Sequence, residues 1–302
     1  MDPTLAAVVR DRTGATWSRA RALCTEGRVT VDGVRCFDPA VRVPPTAEVV
    51  VAVDAPRIRQ GALPDQAIVY FDRDVVVIDK PAGLLSVADE EGNHDTAASH
   101  VRTMLRRLDK RGRDAKLGVV HRLDRDTSGL MVFARTASAQ RVLAAAFRAH
   151  DIERVYHAIA HGIVNAARIE SDLLVDRGDG LRGSHGQWRR AKGPPPVDAK
   201  RSVTFVAPVE SLQGATLVEC RLETGRQHQI RIHLAEAGHP LVGETVYVRD
   251  YRSPMIEAPR AMLHARRLGF IQPSTGKALV FEAAPPADFR EMHERLRAKP
   301  SA

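Results

Sequence analysis

His121-Arg122-Leu123-Asp124-Arg125-Asp126-Thr127-Ser128-Gly129-Leu130 is the stretch on which the reading of this chain turns. It gathers an imidazole, two guanidiniums, two carboxylates and two hydroxyls, and its polar part closes on a glycine. Apolar runs flank it, Leu117 to Val120 before and Leu130 to Ala134 after. Such runs read as buried strands, so the polar residues fall in a loop carried by a rigid scaffold, where chemistry is commonly placed. The composition of Asp126-Thr127-Ser128-Gly129 equally suits a salt-bridged turn.

Towards the N-terminus, Ile68 to Phe71 and Val75 to Ile78 read as strands, and Asp79-Lys80-Pro81-Ala82-Gly83 as the turn that closes the second. Residues 95 to 107 have helical spacing, with Ala98, Val101, Met104 and Leu105 on one face. The basic run Asp109-Lys110-Arg111-Gly112-Arg113 suits a solvated face or a grip on phosphates. Towards the C-terminus, Thr136 is placed to cap a helix that turns Ala139, Val142, Leu143, Ala146 and Phe147 inward. Val155 to Ala160 reads as a strand ending at Gly162, and strands resume at Val203 to Val206 and Ala215 to Leu222. Between them, residues 176 to 196 are rich in Gly, Arg and Pro and read as irregular. There Trp188-Arg189-Arg190 has the means to stack on RNA, with a mobile surface loop as the plainer reading.

A second polar cluster runs from Thr224 to Leu234. Gln227 to Ala237 reads as its helix, stopped by Gly238 and Pro240. Ile230 and Leu234 should face the core, and Gln227 and Arg231 should share another face. Strands between Met262 and Phe281 and a helix from Phe289 to Ala298 complete the chain.

Residues 13 to 52 read as a small separate unit. Trp17 to Glu26 is its helix, with Ala20, Leu23 and Cys24 as the apolar stripe and Gly27 as the stop. Val29 to Val31 and Val34 to Cys36 flank Asp32-Gly33, a two-residue hairpin signal. Val41 to Val43 and Glu48 to Val53 follow as short strands, and Arg19, Arg21, Arg28 and Arg35 project from the unit. Its charge is modest, since residues 1–60 hold nine arginines against seven acids. Residues 56 to 66 read as a linker.

The whole chain has 302 residues, which suggests one large or two unequal domains, and 44% of them are hydrophobic, enough for a real core. A formal charge of +8 favours a polyanionic partner, most simply nucleic acid. Three cysteines without a CxxC pair fit a reducing cytoplasm. No basic-then-apolar leader pattern and no 18-residue apolar run is found, so a cytoplasmic protein without a membrane span is expected. His228 and His233 lie five apart on the expected helix and so point in different directions. Ser128 lacks a GxSxG setting. Neither metal nor serine chemistry is therefore read.

His121-Arg122-Leu123-Asp124 with Thr127-Ser128-Gly129 resembles the signature of the RluA-type RNA pseudouridine synthases. Asp79-Lys80-Pro81-Ala82-Gly83 is similar to that family's first motif. Tyr156 with Ala158 and Gly162 is similar to its tyrosine strand. Thr224-Gly225-Arg226 through His233, then Gly238 to Gly243, resembles its third motif, and Leu263-His264-Ala265 also matches. The likeness covers roughly residues 66 to 290. Ser18 to Leu23 followed by Glu26 to Gly33 resembles the RNA-binding module named after ribosomal protein S-four.

The resemblance implies an α+β, pseudouridine-synthase fold: a mixed, largely antiparallel sheet flanked by helices and loops. A catalytic domain would span residues 61–302 and an RNA-binding module residues 1–60. It implies an enzyme that isomerises uridine in RNA without cofactor or metal. The base detaches from the ribose, turns, and rejoins through carbon 5. Between Asp124 and Asp126 the residues alone do not choose; the family motif assigns the catalytic carboxylate to Asp124, as nucleophile on the ribose or as base in a glycal route. It assigns Arg231 as the cation beside Asp124, Tyr156 as the aromatic that stacks on the everted uracil, and Arg122 as the group that fills the gap left in the RNA. Lys80 and Arg226, with Arg19, Arg21 and Arg28 of the module, are implied on the RNA-binding side, Lys80 being structural or phosphate-facing. Ribosomal RNA is the favoured partner, transfer RNA the alternative, and a monomer is expected. A noncatalytic RNA-binding protein on the same fold is the rival from another class. Glu244 departs from the family's more usual aspartate after Gly243, at a place expected to lie clear of the residues assigned to chemistry.

Overall fold

A computed structural model of the chain describes residues 3–32, 34–36, 39–55, 63–88, 95–108, 117–178, 180–187 and 193–297. Several expectations lie outside these residues. They concern most of the linker, Gly33 of the hairpin, the Arg35 side chain, the basic run 109–113, and Trp188-Arg189-Arg190. The chain divides into two compact units, Met1–Ala62 and Leu63–Ala302.

In the first unit, helices α1 (Leu5–Thr13) and α2 (Trp17–Thr25) precede β1 (Val29–Val31), β2 (Val34–Arg35) and β3 (Val49–Val51). Thr4 and Thr16 cap the helices by accepting from backbone N–H groups three residues on. Val31 pairs with Val34, the register that a two-residue connection requires, and Asp32 takes a left-handed φ of 50°. Leu5, Val9, Ala20, Leu23, Cys24, Val29, Val43 and Val49 form the core. Helix α1 was not anticipated from the sequence. Its mix of Arg, Asp and Ala hides a narrow stripe of Leu5, Ala6 and Val9. The expected strand Val41–Val43 is reduced to one bridge between Thr4 and Arg42.

The second unit is built on one large sheet. Its strands are β4 (Ile68–Phe71), β5 (Val75–Lys80), β6 (Gly118–Val119), β7 (Ser128–Ala134), β8 (Glu153–His161), β9 (Ala167–Leu174), β10 (Gly183–Ser184), β11 (Lys200–Leu212), β12 (Ala215–Leu222), β13 (Leu263–Ile271) and β14 (Ala278–Glu282). They run in the order β10-β9-β11-β12-β8-β13-β7-β5-β4, with β14 on β13 and β6 on β7. Only β7 and β13 pair in parallel among the described strands; the other pairs are antiparallel. Helices α3 (Ala97–Leu108), α4 (Ala137–Ala149), α5 (Gln229–Glu236) and α6 (Ala287–Arg297) complete it. No described helix is long and apolar enough to cross a membrane.

Strand β7 is buried along its whole length, and the period of two explains why it reads as one apolar run. Met131 and Phe133 enter the core shared with Val101, Met104 and Leu105 of α3. Leu130, Val132 and Ala134 face the opposite core, shared with Ala139 and Leu143 of α4. Burying a side chain such as Phe133 on this strand stabilises the fold by roughly 1.5–3 kcal/mol. Thr136 caps α4 by accepting from the Ala139 N–H at 3.1 Å. Val142 does not turn inward as expected; it is 44% exposed, because only the 139/143 and 146/147 positions meet the sheet. Lys80 and Asp79 prolong β5 rather than forming a turn. Strand β9, which has no apolar alternation, was not foreseen, nor was the β10 pairing inside the irregular segment.

Candidate active site

The loop from His121 to Thr127 is held along its length, chiefly through main-chain groups. Beneath it, the Lys80 ammonium is fully buried and donates to the carbonyls of Pro81 (2.9 Å), Leu84 (2.8 Å) and Arg125 (2.9 Å). Burial pushes Lys80 down to about 7; Asp126 and Asp124 pull the other way. Gly83 N–H donates to the Arg125 carbonyl at 2.9 Å, and Arg125 Nε donates back to the Gly83 carbonyl at 3.2 Å. Ser86 Oγ donates to the Leu123 carbonyl at 2.7 Å and accepts from its N–H at 3.0 Å. Arg260, itself paired with Asp288, donates to the Asp126 carbonyl at 2.9 Å. The Asp79–Ser86 segment is thus the cradle of the central loop. Lys80, grouped with the RNA-binding residues as structural or phosphate-facing, is an internal clamp whose three donors are already engaged; the phosphate-facing alternative is corrected to the structural one.

The other residues of the quoted stretch anchor it to the sheet. His121 Nε2 accepts from the Val132 N–H at 3.0 Å, and its ring stacks on Phe147 at 4.6 Å. Burial first, then Arg154, lowers it to about 3, so it is neutral. Ser128 Oγ lies 3.0 Å from His264 Nδ1. Gly129 adopts a φ of 112°, and a Cβ there would lie 2.3 Å from the Ala265 carbonyl oxygen. Only glycine lets β7 approach β13 at this point. The register then runs Gly129, Ala265, Tyr156 and Cys220 across four adjacent strands. Strand spacing of about 4.8 Å brings the Tyr156 backbone within about 10 Å of the end of the loop.

Asp124 and Tyr156 line one cleft of about 420 Å³ together with Arg122, Phe147, Arg148, Arg154, Arg226, His228 and Arg231. The Asp124 carboxylate is straddled. Arg231 Nη1 stands 3.9 Å from Oδ2, and His228 Nε2 stands 3.8 Å from Oδ1. Both distances exceed a hydrogen bond, which leaves the oxygens room to reach a substrate. Tyr156 is 8% exposed, and burial raises its phenol pKa, with Arg154 opposing and Asp124 adding.

Arg231 is aimed by Glu244. Its Nε and Nη2 donate to the two carboxylate oxygens, both at 2.7 Å. Glu244 Oε1 also accepts from the N–H groups of Val246 (2.9 Å) and Thr245 (3.1 Å). Although burial opposes it, the bond from Arg231 holds the Glu244 carboxyl below its ordinary range. The expectation that residue 244 lies clear of the chemistry is therefore wrong: the third-motif loop folds back beneath α5 and delivers the carboxylate to Arg231.

The helix carrying Arg231 starts at Gln229, two residues later than expected, because His228 takes a left-handed φ of 60°. His228 Nδ1 lies 2.7 Å from the Tyr247 hydroxyl, and burial lowers its pKa. Gln229 fixes the first turn, accepting from Thr224 Oγ1 at 2.8 Å and donating to the Val203 carbonyl at 3.0 Å. His233 is spent on Ser171 and Thr204. Ile230 and Leu234 face the core as expected. Sequence reasoning weighed His228 only as a metal ligand and overlooked Arg154 and Arg148. A basic residue two places before Tyr156 on a strand was the available signal for Arg154.

In the N-terminal unit, Arg19 and Arg21 are exposed. Arg28 is half-buried and paired with Glu26 at 3.0 Å, while Arg19 stands 3.5 Å from the same carboxylate.

The RNA pseudouridylate synthase family model matches residues 74–236. Ribosomal large subunit pseudouridine synthase D of Zymomonas mobilis is 34% identical over 98% of this chain and 93% of its own length. The protein of the same name from Pseudomonas aeruginosa is 35% identical over 93% and 87%. The solved structure of Human RNA Pseudouridylate Synthase Domain Containing 4 superposes with a TM-score of 0.61 at 24% identity, covering 76% of this chain and 93% of that one. The fold is the α+β one of these synthases. This chain belongs to the RNA pseudouridylate synthase family, and it is an isomerase of uridine in RNA.

Proposed function

We propose that this chain converts uridine to pseudouridine in large-subunit ribosomal RNA, with Asp124 as the carboxylate that attacks or deprotonates the ribose. The observation that carries this is the meeting in one cleft of Asp124, Tyr156 and Arg231, of which the first and last are more than a hundred positions apart along the chain. A uridine must leave its stack to reach Asp124, at a cost of a few kcal/mol. Arg122, exposed at the cleft, is placed to fill the gap it leaves. Tyr156 offers its ring face to the base, and such stacking is worth roughly 1–3 kcal/mol. Arg231, fixed by Glu244, supports the negative charge of Asp124 without occupying its oxygens.

Ribosomal RNA is favoured because the likeness to the two synthases named for the large subunit extends through the N-terminal unit. That unit presents Arg19 and Arg21, and Trp17 with the Arg10 guanidinium 4.1 Å above its ring, which suits an RNA-binding module. The chain would act as a monomer in the cytoplasm, where such an RNA would be met. The test is tritium release from RNA carrying 5-tritiated uridine, with pseudouridines mapped in total RNA with and without the protein. Wild type should release tritium and Asp124→Ala should not. Release that survives Asp124→Ala overturns the assignment, and sites confined to transfer RNA overturn the ribosomal reading.

A further inference from the structure

Arg154 lines the same cleft and has no task in the reading so far. It is only 6% exposed, yet no carboxylate pairs with it among the described residues. Nη2 donates to the Glu223 carbonyl at 2.8 Å, while Nε has no partner. Its Nη1 occupies the space above Gly225, where a Cβ would come within 2.3 Å, so that glycine is what makes room for the guanidinium. The group stands 5.5 Å over the Phe147 ring. A desolvated cation with a spare donor and no counterion is costly to keep, and it fits an anionic oxygen that arrives with the substrate. Burial already disfavours its charge, with Arg226 adding to that.

Position selects the oxygen. Arg154 and Tyr156 are two apart on β8 and so share a face of the strand. Arg226 is exposed and suits a phosphate, whereas Arg154 sits inside the wall, as buried as Tyr156. We propose that Arg154 donates to a carbonyl oxygen of the everted uracil and stabilises the charge the base acquires when it leaves the ribose. The proposal rests on the reading of the cleft given above. When the bond from ribose carbon 1′ to N1 breaks, the electron pair stays on N1 and spreads onto O2 and O4. Arg154 keeps its proton and only donates hydrogen bonds. The bond from carbon 5 to carbon 1′ then forms, carbon 5 loses its proton, N1 gains one, and the anion disappears. The nucleophilic and glycal routes both pass through this anion. At O4, a group that only donates also favours uracil over cytosine, whose position 4 carries an amino group; at O2 the two bases are alike.

The experiment uses the full chain and RNA with 5-tritiated uridine, under single turnover with enzyme in excess, alongside the RNA Kd. Arg154→Gln should lower the rate constant by about 10²–10³-fold, the loss typical of a removed oxyanion donor, and leave the Kd within about twofold. Arg154→Lys should recover part of the rate. RNA with 2-thiouridine or 4-thiouridine at the target should slow wild type at one of the two positions and leave Arg154→Gln indifferent to it. A wild-type rate in Arg154→Gln, with a Kd raised tenfold and a salt slope lowered by about one, would make Arg154 a phosphate contact and overturn the proposal. If Arg154→Gln fails to fold, Arg154→Lys decides: wild-type rate and wild-type thio effects in it sink the idea. Wild type and Asp124→Ala run alongside. If wild type releases no tritium, the reading of the cleft fails. If wild type releases it, Asp124→Ala does not and Arg154→Gln keeps pace, only the assignment of Arg154 fails.

Discussion

Replacing Lys80 by Met tests whether the first motif is a clamp or a contact. The Met side chain matches the lysine stem out to Cε and needs no solvation, so the variant removes the ammonium and little else. Wild type carries the desolvation of a fully buried cation, visible as its fall from 10.5 to about 7. The variant loses that cost but leaves the Pro81 and Leu84 carbonyls without this donor, while Arg125 keeps the N–H of Gly83. An unpaired buried carbonyl costs roughly 1–3 kcal/mol, and near pH 7 the relieved desolvation offsets much of the loss at the two carbonyls, so only a small net change is expected there. Because Lys80 is lowered on folding, the unfolded chain binds the extra proton between about 7 and 10.5. Wild-type stability therefore rises with pH across that window, and the gap to Lys80→Met should widen by about 2 kcal/mol from pH 7 to pH 9. Urea denaturation of both proteins at the two pH values measures this. The loop should also shift, lowering kcat about 10- to 100-fold with the RNA Kd unchanged, because small misplacements of reacting groups are expensive. Equal stability at both pH values, with a tenfold weaker Kd, would refute the clamp and return Lys80 to the RNA.

Gly129→Ala should lose at least 3 kcal/mol in urea, since its φ is left-handed and the new methyl meets the Ala265 carbonyl; a melting temperature within about 2 °C of wild type would contradict the packing described. Glu244→Gln removes the hydrogen-bonded countercharge of Arg231, leaving only Asp124 at 3.9 Å, and should cost about 3 kcal/mol. Assayed well below its melting temperature, it should show a lower kcat at unchanged RNA Kd; wild-type turnover would mean that Arg231 is aimed by other contacts. Arg122→Ala should reduce turnover more than binding, and equal loss of both would make it a phosphate contact. RNA binding by the whole chain should weaken steeply with salt as counterions are released, and a flat response in a filter-binding series would count against a basic RNA surface.

Much of the frame was legible along the chain. The runs at 75–78 and 130–134 declared strands, the second a buried one, and the spacing of Ala98, Val101 and Met104 declared a helix, because burial imposes periods of two and 3.6 on a single stretch of sequence. Asp124, Tyr156 and Arg231 could be named because the likeness to a family brought them forward, and the fold then gathered them in one cleft. Helix α1 and strand β9 escaped notice because their apolar positions are few and depend on what packs against them.

Residue identity by itself determined the local elements and the inventory of charges. Only the tertiary structure decided what each charge does. Lys80 and Arg122 are both basic residues next to motif loops, yet one is fully buried under three carbonyls and the other stands in water. Glu244 looked remote from Arg231 by thirteen positions and holds it by two hydrogen bonds. Arg154 ended in the wall of the cleft with a donor to spare. Periodicity reports which face of an element is buried. The partner of a buried ion is set by which distant segment folds against it, and that follows from sheet order and strand register.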